Sequence, residues 1–173
     1  MDRTTAAQKA FETALANDYY SGCSQAVLGA VQSTLEIGNT DSFRAATVLS
    51  GGVARRGETC GALLGALMAL GIAIGRSNMT DTAAYGRATD TAQHVVDTFK
   101  SRVESAFGLK EPLESTLCRD IQLRIFGRAF VMNDSEDRQA FLDAGGHDSD
   151  RCPLVCAIAA GIAVEAIVPA ENE

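Results

Sequence analysis

The chain has 173 residues, 46% hydrophobic but only 6% aromatic, with 16 Gly, no Trp and a net charge of −7. That length fits a single domain over residues 1–173 with a core of small aliphatic side chains, which favours close approach of helices. The negative charge and the lack of any basic run exclude a nucleic-acid-binding surface, because phosphate contacts need clustered Lys and Arg.

The predicted elements are helices separated by short Gly, Ser, Asn and Asp clusters; no segment keeps a two-residue alternation long enough to read as a strand. Residues 1–16 are charged from the second position and do not read as a secretory leader, so a cytoplasmic location is expected. Thr4 or Thr5 is the expected cap of a first helix ending near Ala16, which the polar cluster 17–22 breaks. A second helix is expected from about Gly22 to Leu35 with Ser21 as its cap, and a short third from Asp41 to about Leu49. The glycine turn Ser50-Gly51-Gly52 leads into an irregular stretch to Glu58. Residues 60–75 carry no charge and end on Gly75, a suitable helix stop. This stretch and residues 153–169 both fall short of the roughly 20 apolar residues a membrane span needs. The first of them is therefore expected as a central, buried, glycine-rich helix. Its spacing Gly61, Gly65, Gly71, Gly75 also offers a face on which a second copy could dock as a homodimer.

From residue 80 to 107 the apolar positions Tyr85, Ala88, Ala92, Val95, Phe99 and Val103 step by three and four, giving one stripe on a long helix. Further helices are expected from Ser115 or Leu117 to Phe130, from the cap region 133–135 to about Ala144, and from Cys152-Pro153 to about Ile167. Pro153 suits the first helical position, where its missing N–H costs nothing. The fold expected is all-α, a compact multi-helix bundle around the apolar glycine-rich helix. The polar run 134–150 reads as solvated surface.

On this map Cys23, Cys60, Cys118 and Cys152 all fall near helix N-termini, where unpaired N–H groups and the helix dipole favour thiolate over thiol. Arg55 and Arg56 near Cys60, and Arg119 and Arg151 beside Cys118 and Cys152, would add positive potential. Thiolate is the form that ligates metal and attacks disulfides. The separations of 37, 58 and 34 residues match no zinc-ribbon or ferredoxin spacing. Four helix ends can nonetheless offset the charge of one anionic four-cysteine centre. Cys156, one turn after Cys152, reads as a small core residue or a resolving thiol. Glu58 reads as a helix-start carboxylate or an acid–base group beside Cys60. His147 reads as a solvated loop residue, with proton donor or cluster ligand as the alternative. His94 has no metal-ligand spacing to the other His.

The block 51–67, with Cys60-Gly61-Ala62 followed by Gly65, resembles the signature of the redox-active C_GCAxxG_C_C family. Cys23, in Gly22-Cys23-Ser24-Gln25, matches the upstream cysteine of that pattern. Cys118, in Leu117-Cys118-Arg119, and Cys152, in Arg151-Cys152-Pro153, match the downstream ones. A similar domain accompanies an iron–sulfur centre in split-Soret cytochromes. The resemblance therefore implies ligation of an iron–sulfur cluster, [2Fe-2S] or [4Fe-4S], by Cys23, Cys60, Cys118 and Cys152, with electron transfer to or from a partner oxidoreductase or electron carrier. Haem is not implied, since the chain has no Cys-x-x-Cys-His motif. Two alternatives stay open. One is a metal-free thiol–disulfide oxidoreductase with Cys60 as the catalytic nucleophile. The other is a structural zinc-binding helical module.

Overall fold

A computed structural model describes residues 1–170 and, among them, eight α-helices and no strands. The first helix, α1 (Arg3–Asn17), starts two residues earlier than a Thr4 cap would place it, because Asp2 accepts a hydrogen bond from the Thr5 N–H. A 3₁₀ turn over Asp18–Tyr20 follows. Ser21 and Gly22 both take positive φ and swing the chain into α2 (Cys23–Leu35). Ser21 thus serves as a hinge, not as the expected cap, and no side chain caps α2. Helix α3 (Thr40–Ala45) is closed by a capping box between Asn39 and Ser42 and runs into a second 3₁₀ turn, Ala46–Leu49. Then come α4 (Gly61–Ile74), α5 (Thr82–Ala106), α6 (Cys118–Phe126), α7 (Ser135–Asp143) and α8 (Cys152–Ile167).

Helix α6 stops at Phe126, short of the expected Phe130, because Gly127 adopts the left-handed conformation that ends a helix. The α5 stripe divides along its length. Val95, Phe99 and Val103 are buried, whereas Tyr85 stands exposed with Arg76 stacked 4.6 Å over its ring. No described helix is long and apolar enough to cross a membrane.

Small side chains set the packing. Helix α1 presents Ala6, Ala7, Ala10 and Ala14 to the interior, and α8 packs against it. The most enclosed element is α8, buried continuously from Val155 to Val164 and in contact with α1, α2, α4 and α5. Helix α4 buries its first half and exposes its last turn. The first turns of α2, α4, α6 and α8 carry, or directly follow, the four cysteines.

Candidate redox site

Cys23, Cys118 and Cys152 are the first residues of α2, α6 and α8, and Cys60 is the residue immediately before α4. Cys23, Cys118 and Cys152 line one pocket of about 690 Å³. Cys60 lies buried behind them. Its charge is felt by Cys118 and Cys152, and that of Cys23 is felt by Cys60.

Glycines make this convergence sterically possible. A Cβ on Gly61 would sit closer than 3.0 Å to Cys23 Sγ, and one on Gly65 would meet the Ser24 carbonyl and the Val27 side chain. The two glycines of the Cys60–Gly65 motif thus let α4 lie directly against the start of α2. Gly52 does the same for α6: a Cβ there would stand 2.7 Å from Cys118 Cβ and 2.5 Å from the Glu58 carbonyl oxygen. Segments 57–60 and 116–119 are laced together. Cys60 N–H donates to the Thr116 carbonyl at 2.8 Å, and Cys118 N–H donates to the Glu58 carbonyl at 2.6 Å, around an antiparallel bridge between Thr59 and Leu117. Ser24 Oγ donates to the Ala46 carbonyl at 2.7 Å and meets Ser50 Oγ at 2.8 Å, which ties the start of α2 to the glycine loop.

That loop is an uncommon structure. Gly51, Gly52, Val53, Ala54 and Arg55 all have φ between 51° and 70°, a run of five left-handed residues. L-residues pay roughly 1–2 kcal/mol each for this conformation, and the β-branched Val53 is the least suited of the three non-glycines. The Gly51 N–H and the Ser50 hydroxyl lie near the Cys23 sulfur and act to lower its pKa. The N–H groups of Ala62 and Leu63 serve Cys60 in the same way.

Those donors favour thiolate, as the helix-start reading requires, but burial outweighs them. Burial, followed by the charge of Cys23, pushes the Cys60 thiol up to about 12. Burial likewise raises Cys23, and it holds Cys118, Cys152 and Cys156 well above the ordinary range. The expected lowering of these pKa values therefore does not occur in the metal-free chain. The arginines do not offset it: Arg119 pairs with Glu58 at 3.1 Å, and Arg151 lies over the Phe126 ring. That ion pair also takes the Glu58 side chain to the surface, away from either role expected of it.

The raised thiols have a stability consequence. Above about pH 8.5 the thiols of an unfolded chain ionise, while the folded ones keep their protons. The native state then binds more protons, and stability falls with rising pH by up to about 1.4 kcal/mol per pH unit for each thiol. Urea midpoints of the iron-free chain should drop steeply on the alkaline side; a flat profile would contradict the burial.

Two participants were not legible as such. Asp18, in the polar cluster that breaks α1, is 1% exposed. His147 Nδ1 donates to Asp18 Oδ2 at 2.9 Å, and the Cys156 thiol points at Asp18 Oδ1 at 3.5 Å and at the Cys23 carbonyl at 3.9 Å. The hydrogen bond to Asp18 raises the His147 pKa. Cys156 is thus buried, as a core residue would be, yet it also lies directly behind the sulfur site. The run 134–150 is not uniformly solvated: Phe141 is buried and packs edge-on against Phe126, Phe130 and His147, forming the wall that seats the histidine. The signal available was a lone Phe in a polar helix. His94 is exposed on α5.

Among the described residues, no group of three or more His, Cys, Asp or Glu side chains is placed to hold a metal ion. A single ion about 2.3 Å from each sulfur needs sulfurs within roughly 4 Å of one another. A multi-iron cluster is wider and carries its thiolates on separate corners, each accepting N–H groups. Cysteine thiols are a donor type that could hold either group, and N–H groups act on Cys23 and Cys60 but not on Cys118 or Cys152 among the described residues.

Residues 21–166 match the family described as "Putative redox-active protein (C_GCAxxG_C_C)". No curated protein and no solved structure gives a match. With the matched segment covering most of its length, the chain belongs to the C_GCAxxG_C_C family of redox-active proteins.

Proposed function

We propose that the protein is an electron carrier that holds an iron–sulfur cluster through Cys23, Cys60, Cys118 and Cys152 and exchanges electrons with a partner oxidoreductase. The observation that carries this reading is that four thiols stand at helix starts, three of them, Cys23, Cys118 and Cys152, lining one pocket with Cys60 buried behind them. Four thiols that each resist ionisation are costly to turn into thiolates unless a cationic centre compensates them. The bound cluster would supply one-electron chemistry. The chain's own part is to orient the sulfurs through Gly51, Ser50, Ala62 and Leu63, to offset negative charge with helix N-termini, and to keep water from Cys60. The metal-free alternative is weaker on one specific ground: with its thiol held at about 12, Cys60 has little thiolate with which to attack a disulfide.

Serine at each of the four positions tests the ligand set. After anaerobic reconstitution, C23S, C60S, C118S and C152S should each lose most iron and sulfide, while C156S keeps both. Full iron content in C60S, or equal loss in C156S, would reject the assignment.

A further inference from the structure

The sulfur pocket is larger than its ligand residues alone define, and its charge runs against that of the chain. Its lining includes Tyr19 and Tyr20, both largely exposed. Its charged lining residues are Asp18, His147, Arg55 and Arg138. Asp18 is already engaged by His147, whereas neither Arg55 nor Arg138 has a carboxylate partner among the described residues. Among the described residues the Arg138 guanidinium donates only to the Met132 carbonyl, at 3.4 Å. The remaining walls include Phe141 and Leu142. An acidic protein of net charge −7 therefore presents, in front of its thiols, an apolar-walled cleft whose free charges are both positive. Its volume lies within the range of about 300–1,000 Å³ typical of small-molecule sites.

We infer that this cleft binds a small organic oxyanion, a carboxylate or phosphate on an apolar body, anchored by Arg138 and Arg55. Guanidinium groups match both head groups in bidentate geometry, and the apolar walls take the body. The ligand then lies in the same cleft as the thiol site of Cys23, Cys118 and Cys152, so the cleft serves as the substrate or effector site of the redox centre. That role rests on the redox reading of the thiols; the binding itself does not.

Calorimetric titration of the reconstituted and the iron-free full chain with benzoate, phenyl phosphate and neutral benzamide tests the inference. Benzoate or phenyl phosphate should bind saturably, with benzamide at least about tenfold weaker. Whichever acid binds identifies the head group. R138Q and R55Q should each weaken the anion about tenfold while iron content and absorption stay unchanged, and R87Q, on the exposed face of α5, should have no effect. Should neither acid saturate, should benzamide bind equally well, or should R87Q match R138Q, the inference falls. Anion binding by a chain that takes up no iron would uphold this site while refuting the cluster, so the two failures are separable.

Discussion

Gly65→Ala is expected to destabilise the protein by roughly 2–4 kcal/mol and to abolish cluster incorporation. The added methyl would press on the Ser24 carbonyl and would stand 2.9 Å from Val27 Cβ. The closest of these obstacles is backbone at the start of a helix, which cannot rotate aside as a flexible side chain can. Relief requires α4 to withdraw from α2, and that moves Cys60 away from Cys23. The same substitution six residues on should act in the opposite sense. Gly71 has nothing within 4 Å of its would-be Cβ, so Gly71→Ala should stabilise by about 1 kcal/mol through helix propensity. Denaturant midpoints and iron content of the two variants check both halves. Equal, mild effects would mean that the glycines of the motif are not clearing a path between α2 and α4.

Asp18→Ala carries the second large effect. It removes the acceptor of both His147 and the Cys156 thiol from a site that is 1% exposed. Breaking a buried pair can cost 3–5 kcal/mol. His147 is only half-buried and can shed its proton, so roughly 2 kcal/mol is expected. The pH dependence separates this from a packing defect. A histidine whose pKa is raised in the folded state contributes stability that is fully present below its ordinary value, near 6.5, and is lost as pH rises through the raised value. Asp18→Asn, which keeps the volume, should therefore narrow its gap to wild type as pH rises from about 6 to 8. In the same variant the His147 imidazole should titrate closer to its ordinary value by NMR. A gap that does not change with pH would show that Asp18 acts by packing alone.

The helices and their cysteine-bearing starts were readable because their causes are local. Pro153 marks the first turn of α8, and the uncharged run after Cys60 has room only for a helix. The motif glycines were visible as a pattern, but their purpose lay in the neighbouring helix. Asp18 was read as a helix breaker, which it also is; the partners that meet it in its buried place, His147 and Cys156, lie more than 120 positions away. The thiol pKa values show the same division. The helix-end N–H groups of Ala62 and Leu63 that act on Cys60 follow from position in the chain, while the Gly51 N–H on Cys23 and the desolvation that overrides both depend on how separate chain segments close over one another. The five left-handed residues from Gly51 to Arg55 had only two glycines to announce them. Val53, Ala54 and Arg55 are held there by hydrogen bonds back to Leu49, Val48 and Ser50.

The most direct measurement is the visible spectrum of the anaerobically reconstituted full chain, with iron and acid-labile sulfide assayed on the same sample, before and after stepwise reduction. The account predicts a coloured protein holding iron and sulfide in equal amounts, whose absorption bleaches on uptake of one electron per chain. A colourless chain without iron, or a two-electron couple between pairs of thiols with no metal present, would contradict it.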